Sequence, residues 1–271
     1  MRPRFAAKLL ICLSLSPSLA FTQATTLGLS APRLFEKGMN ALTGVGISQN
    51  DLDATDYFRR SADLGYPAAQ VMMGYFYDTG FKLSQNSGDA ADWYKKAGKT
   101  DDRLAEWLLG RLYYTGSGIP RDLAAAETWL QKAANQNDPY GQYLLGMVKL
   151  ERNDYPAAAT MFRKAAMQGL SQAQQQLGEL YKQGRGVTAD KFESYVWLML
   201  SYQAGNQAVA SELLELESAL GTQKVEQART KARDMQQIVS RAVVAHGCSG
   251  WPGEFNTIPV PPPPDIQVFC Q

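Results

Sequence analysis

The repeating unit of this chain is clearest at residues 105–137, which read AEWLLGRLYYTGSGIPRDLAAAETWLQKAANQN. One marker of the unit is a glycine after a large apolar residue, which recurs at spacings of 36, 36 and 32 residues as Gly74, Gly110, Gly146 and Gly178. A second marker is a large residue followed by a small pair, with the same spacings at Tyr57, Trp93, Trp129 and Met161. Because two independent markers agree on the period and on one four-residue deletion, they indicate an internal repeat.

Each unit contains two apolar patterns with the period of an α-helix. In the first half, Ala105, Gly110 and Tyr113 share one helical face, and in the second half Trp129 shares a face with the pair at 133–134. Small residues allow two helices to approach closely, and we expect the neighbouring tryptophan or tyrosine to fill the space that remains. The pattern therefore predicts a packed helix pair in every unit.

The connection between the two helices has recognisable start and stop signals. Gly116 follows the first pattern, where a glycine with positive φ commonly ends a helix. Asp122 precedes the second pattern and is placed to cap it, as Asp190 and Asn50 are in other units. The sequence therefore predicts short loops between capped helices.

These residues resemble the Sel1-like repeat, a relative of the tetratricopeptide repeat, with the pattern A-x-x-x-L-G-x-x-Y-x-x-G-x-G-V-x-x-D followed by W-x-x-K-A-A-x-x-G. Two units depart from it, since residues 152–154 and 81–86 replace the glycine loop. The resemblance implies an all-α, right-handed α/α solenoid. Its expected units are 31–66, 67–102, 103–138, 139–170 and 171–206.

The chain after the last unit is predicted to form a cap and a tail. Residues 207–245 suggest two helical segments around Gly221, and their polar character suits the cover that a terminal repeat needs. Residues 246–271 form a proline-rich tail with Cys248 and Cys270, for which we expect a disulfide, although a redox-active or unpaired state stays open. The run at 259–264 is typical of polyproline II and is either a stiff strap or a ligand for an aromatic groove on another protein.

The N-terminus has the pattern of a secretory signal peptide over residues 1–24. Arg2, Arg4 and Lys8 precede the apolar run at 9–19, and small residues follow at 18–24. We expect cleavage after residue 20 or 24 and a periplasmic or secreted protein, soluble once the signal is removed and possibly envelope-associated. The apolar run is short for the alternative, a membrane anchor.

Composition and motifs argue against several functional classes. The net charge is +1 and no basic stripe is present, so we expect no nucleic-acid partner. The single histidine, His246, and the lack of an S-x-x-K motif give no basis for a catalytic group, a metal site or a cofactor. We therefore expect a protein that is not an enzyme.

The remaining candidate is the surface formed by the first helix of each unit, which lines the concave side of helical solenoids. Residues at −3, +1 and +4 from the repeat glycine share a face that the repeat pattern does not use, and six of them are candidate contacts for a protein or peptide: Tyr75, Trp107, Arg111, Tyr114, Tyr143 and Met147. The alternative is that some of them pack between units. The sequence thus favours an exported interaction scaffold or regulatory adaptor, with a cell-wall or exopolysaccharide enzyme or an envelope structural subunit as the alternatives.

Overall fold

The computed structural model describes residues 29–44 and 50–246. Within these ranges the chain forms twelve α-helices and a single 3₁₀ turn, without any strand. The predicted signal peptide and the predicted Cys248–Cys270 disulfide lie outside the described residues.

Ten of the helices form five consecutive pairs, and we call the first helix of each pair an A helix and the second a B helix. The pairs are α1 (Ala31–Thr43) and α2 (Asp51–Asp63), α3 (Pro67–Thr79) and α4 (Ser87–Gly98), α5 (Arg103–Thr115) and α6 (Leu123–Asn135), α7 (Pro139–Glu151) and α8 (Tyr155–Met167), and α9 (Ser171–Gln183) and α10 (Lys191–Gln203). Each of these helices packs against the next along the chain. The helix pairs are those that the repeat pattern predicts, and their consecutive packing is the helical solenoid that the resemblance implies.

The loops end and restart the helices as the sequence indicates. Asp122 caps α6 by accepting hydrogen bonds from the amides of Ala124 and Ala125, at 2.9 and 3.0 Å. Asp190 caps α10 in the same way. The shorter loop before α8 reaches positive φ at Asn153 instead of at a glycine, and Asp154 then provides the cap. The four-residue deletion is therefore absorbed entirely in this loop.

The repeat glycines are contact points between the helices of a pair. A Cβ atom on Gly74 would lie 2.5 Å from Tyr94 Cε1, and one on Gly146 would lie 2.6 Å from Phe162 Cε1. At the repeat glycines the residue after the marker fills this space, and at Gly74 that residue is a tyrosine, as expected. The four repeat glycines meet, in chain order, Tyr94, Leu130, Phe162 and Leu198, and Gly38, at the same place in the first unit, meets Phe58.

One of the marker residues, Trp129, lies between neighbouring B helices. Trp129 is half-buried, and its ring packs against Gly98, where a Cβ would lie 2.9 Å from Trp129 Cζ3. Lys132 Nζ lies 4.9 Å from the centre of the same ring. Because a cation over an indole face stabilises a partly exposed ring, this residue can stay at the surface without a fully apolar cover.

Two apolar clusters form the core, one from Phe35 to Val148 and one from Ala158 to Ala232. Tyr140 and Tyr143 on α7 pack against both clusters. In α5 every residue from 104 to 112 is buried, so this helix has no open face along two and a half turns. The middle of the solenoid is therefore its most enclosed part.

The C-terminal cap consists of α11 (Ala210–Leu220) and α12 (Thr222–His246) after a 3₁₀ turn at Gln207–Val209. Arg229 of α12 donates to the hydroxyl of Tyr195 at 3.1 Å and to the carboxylate of Glu217 at 2.7 Å. Further along, Lys231 forms an ion pair with Glu193, so α12 runs towards the N-terminal end of α10. The same helix also contacts α8, one unit further back in the solenoid.

Candidate binding surface on the first helices

Three of the six predicted contact residues belong to the interior. Tyr75, Trp107 and Arg111 are 1%, 2% and 5% exposed, so their assignment as residues that a partner contacts is corrected here. Trp107 stacks on Tyr140 of the next A helix, with ring centres 5.2 Å apart and an angle of 26° between the planes. The physical reason is that α5 and α7 contact each other directly, which encloses the faces between them.

Arg111 is buried because it forms an ion pair with Asp78 of the preceding A helix. Tyr94 also donates to the Asp78 carboxylate, with an Oη to Oδ2 distance of 3.3 Å. Burial raises the pKa of Tyr94 well above its usual range, so the hydroxyl remains a hydrogen-bond donor. Buried charges require such partners, and these three side chains therefore join two successive units.

The other three predicted residues lie on α5 and α7, two A helices that contact each other. Tyr114 of α5 is half-buried, and so are three residues of α7: Tyr143, Met147 and Leu150. We call these four residues the A-helix surface. The Tyr143 ring packs on the ring of Phe162 of α8, with ring centres 5.9 Å apart. The structure thus brings together Tyr114 of α5 with Tyr143 and Met147 of α7, and it leaves Tyr75, Trp107 and Arg111 in the interior.

The two tyrosines of the A-helix surface are neutral donors. Burial, followed by the hydrogen bond to Glu151, raises the pKa of Tyr114, and burial raises that of Tyr143. Arg121 fixes this edge, since it donates to the Tyr114 carbonyl at 2.7 Å and binds Glu151 at 2.5 Å. Phenols, a thioether and a leucine suit apolar and hydrogen-bonding contacts with a ligand.

A charged cluster lies where the last A helix, α9, meets the cap. Lys182 Nζ lies 3.9 Å from Glu179 and 3.5 Å from Glu212 of α11. The hydrogen bond with Glu179, followed by burial, raises the pKa of Glu212 to about 7. Over the described part of the chain, no three His, Cys, Asp or Glu side chains are grouped as a metal ion would require.

Five segments match the family model of the Sel1 repeat, at residues 38–66, 67–100, 103–138, 139–170 and 171–206. Together they cover more than half of the chain. The chain belongs to the Sel1 repeat family. The resemblance inferred from the glycine and tryptophan markers is therefore confirmed, and so is the all-α solenoid.

Solved structures agree with this fold. A Sel1 repeat protein from Oxalobacter formigenes is 25% identical, with a TM-score of 0.62, over 80% of this chain and 93% of that one. The c5321 protein of uropathogenic Escherichia coli, described as a protective antigen with an SLR fold, is 23% identical with a TM-score of 0.53, over 84% of this chain and 58% of that one. The comparison with curated proteins gave no match. Among the helices that the structure describes, none is long and apolar enough to span a bilayer.

The sequence patterns did not predict that Asp78 pairs with Arg111 or that Tyr140 stacks on Trp107. A signal for the first pair does exist, because Asp78 and Arg111 carry opposite charges on the unused face of adjacent A helices. Tyr140 has no such signal, since it lies in the first turn of its helix, outside the repeat pattern.

Proposed function

We propose that this protein is an exported interaction scaffold or regulatory adaptor that binds a polypeptide through the A-helix surface. The observation that carries the proposal is the position of Tyr114, Tyr143 and Met147, which are half-buried on two A helices that contact each other. Family membership supports the general class, because Sel1 repeat solenoids are protein-interaction scaffolds.

The chemistry of the surface supports a polypeptide as the ligand. Tyrosine and methionine are enriched at protein interfaces, and a tyrosine supplies both apolar area and a hydrogen bond with little loss of side-chain freedom. Phe162 beneath Tyr143 and Arg121 beside Tyr114 hold the two rings in place before binding. Such preorganisation reduces the entropy that a complex has to offset.

The proposed location is the periplasm or the cell exterior, and it rests on the N-terminal pattern. Basic residues precede a short apolar run and small residues, which is the order found in secretory signals. An oxidising compartment also agrees with the proposed pairing of the two cysteines in the tail.

Site-specific photo-cross-linking in the native envelope tests this function. A photoreactive amino acid replaces Tyr143 in one strain and Tyr202 in another, since Tyr202 is an exposed tyrosine on the B helix α10. We expect position 143 to capture one defined protein, identified by mass spectrometry, that position 202 does not capture. Equal capture at both positions, or none at position 143, would contradict the proposed function.

A further inference from the structure

We propose that the attachment of the cap helix α11 to α9 depends on pH: a proton held between Glu179 and Glu212 keeps it closed, and loss of that proton opens the N-terminal half of α11. Glu179 lies on α9, the last A helix, and Glu212 lies in the first turn of α11. This inference concerns the C-terminal cap and does not rest on the proposed function of the A-helix surface.

The contact between the two glutamates requires a proton. Their carboxyl groups are hydrogen-bonded to each other, and two ionised carboxylates cannot form such a bond because neither has a hydrogen to donate. Glu179 already accepts a hydrogen bond from Gln183 Nε2 at 3.0 Å. Glu212 Oε2, in contrast, is buried and accepts no hydrogen bond from any residue that the structure describes. The proton therefore belongs on Glu212.

A single lysine faces three carboxyl groups in this cluster. Lys182 Nζ lies 3.5 Å from Glu212, 3.9 Å from Glu179 and 3.9 Å from Glu215. These distances are longer than those of strong ion pairs, so Lys182 offsets only part of the repulsion that arises when Glu212 ionises. The hydrogen bond with Glu179, followed by burial, outweighs the lysine and raises the pKa of Glu212 to about 7.

The charged groups on the other helices packed against α11 meet its opposite end. Tyr195 of α10 and Arg229 of α12 each donate a hydrogen bond of 2.7 Å to Glu217. These two bonds lower the pKa of Glu217, so this attachment keeps its charges over the range in which Glu212 titrates. The N-terminal half of α11 can therefore open while its C-terminal half stays attached.

The direction of the pH effect follows from the two pKa values of Glu212. The pKa is about 7 in the closed form and returns to its ordinary value of 4.5 when the contact is lost, so the closed form binds the proton more tightly. Closure is therefore most favoured below about pH 4.5, weakens as the pH rises to about 7, and changes little above that. Opening exposes Val209 and Leu213, which are 0% and 6% exposed in the closed form.

Hydrogen exchange of the whole chain, followed by mass spectrometry, tests the proposal. The protection of residues 210–220, corrected for the intrinsic pH dependence of exchange, is measured between about pH 5 and 7.5 for the wild type and for Glu212→Gln. We expect the wild type to lose at least about 10-fold in protection over this range. Glu212→Gln should lose less than about 2-fold, because a glutamine amide donates to Glu179 at any pH.

Two features of the comparison isolate Glu212. Glu215→Gln is the matched control, since Glu215 faces the same lysine but its side chain is 72% exposed, and it should keep the pH dependence of the wild type. Asp138 on α7 titrates in an overlapping range, so the difference between the wild type and Glu212→Gln is what decides. The same pH dependence in these two proteins, or its loss in Glu215→Gln, would overturn the proposal.

A second variant keeps the proposal testable if Glu212→Gln is misfolded. Lys182→Met retains both glutamates and removes the cation that lowers the pKa of Glu212. We expect the pH above which protection of α11 stops falling to rise by at least about 0.5 in this variant. An unchanged pH would show that the Glu179–Glu212 contact does not control the cap, and would overturn the proposal.

Discussion

The Arg111 guanidinium binds the Asp78 carboxylate between two successive units, and each side chain is only 6% exposed. The two residues lie on different A helices, α5 and α3, so this pair links units that are otherwise joined through a B helix. Tyr94, which packs on the repeat glycine Gly74, also binds the same carboxylate. The Arg111–Asp78 ion pair and the packing of Tyr94 on Gly74 therefore meet at the same junction between units.

Breaking this ion pair from one side should destabilise the fold strongly. Arg111→Ala leaves the Asp78 carboxylate buried without its cation, and we expect a loss of about 3–5 kcal/mol in the free energy of unfolding. The double variant Arg111→Met with Asp78→Leu removes both charges and should cost at most about 1 kcal/mol. Urea denaturation measures both. The exposed pair Arg60–Asp56 is the control, where Arg60→Ala should cost less than about 1 kcal/mol. An equally small cost for Arg111→Ala would show that the buried pair does not hold the junction.

The contact between Gly74 and Tyr94 predicts that even one methyl group is too large at this position. A Cβ at residue 74 would lie 2.5 Å from a rigid, buried ring. We therefore expect Gly74→Ala to lower the free energy of unfolding by about 1–3 kcal/mol, although alanine favours a helix more than glycine does.

The matched control is Gly88→Ala in the same unit. Gly88 is the second residue of α4, after the cap Asn86, and alanine already occupies the equivalent place in α6 as Ala124. This change should alter stability by no more than about 0.5 kcal/mol. Equal effects at the two glycines, measured by thermal unfolding, would contradict the packing described here.

A buried cap should make stability depend on pH. Asp138 caps α7 by accepting from the amide of Gly141 at 2.8 Å, and burial raises its pKa from 3.8 to about 6. Because the folded pKa lies above that of the unfolded chain, the ionised carboxylate reduces stability as the pH rises from about 4 to 6. Asparagine caps a helix equally well without a charge.

We therefore expect Asp138→Asn to raise the free energy of unfolding at pH 7.5 by up to about 3 kcal/mol, and to give no gain at pH 3.5. Urea titrations at both values measure the difference. Asp122→Asn, at the exposed cap of α6, is the control and should change stability by less than about 0.5 kcal/mol. A loss of stability for Asp138→Asn at pH 7.5 would show that the charge itself is needed.

Much of the fold follows from spacing alone. A period of 36 residues with helical faces in each half predicts the helix pairs, and the glycine and Asp122 signals predict where they end and begin. Spacing could not identify the residue that packs on each glycine. Trp129 and Leu130 are adjacent and recur with the same period, so the repeat spacing cannot show which of them packs on the glycine. The rotation of the helix about its own axis decides this.

Only part of the candidate site could be predicted from the sequence. Positions −3, +1 and +4 were expected to share an open face, but the exposure of such a face depends on how closely successive A helices approach. Trp107 is enclosed because Tyr140 on α7 lies over it, whereas Tyr143 and Met147 on α7 remain half-buried. The distance between helices is a property of the whole superhelix and is not encoded in any single unit.

Export makes a prediction about the mature N-terminus. If residues 1–24 are a signal peptide, the protein recovered from a periplasmic fraction should begin at Phe21 or Thr25. Intact-mass analysis distinguishes these two forms from the full chain. Recovery of the protein from the cytoplasm with Met1 retained would contradict the proposed location.

The affinity of the partner captured at position 143 tests the central claim most directly. The dissociation constant is measured by calorimetry for the wild type, for Tyr143→Ala and for the control Tyr202→Ala, after circular dichroism has shown that all three are folded. We predict that Tyr143→Ala weakens binding by about 30-fold, which corresponds to about 2 kcal/mol at a binding hot spot, and that Tyr202→Ala changes it by less than 3-fold. Unchanged binding by a folded Tyr143→Ala variant would show that the A-helix surface is not where the partner binds.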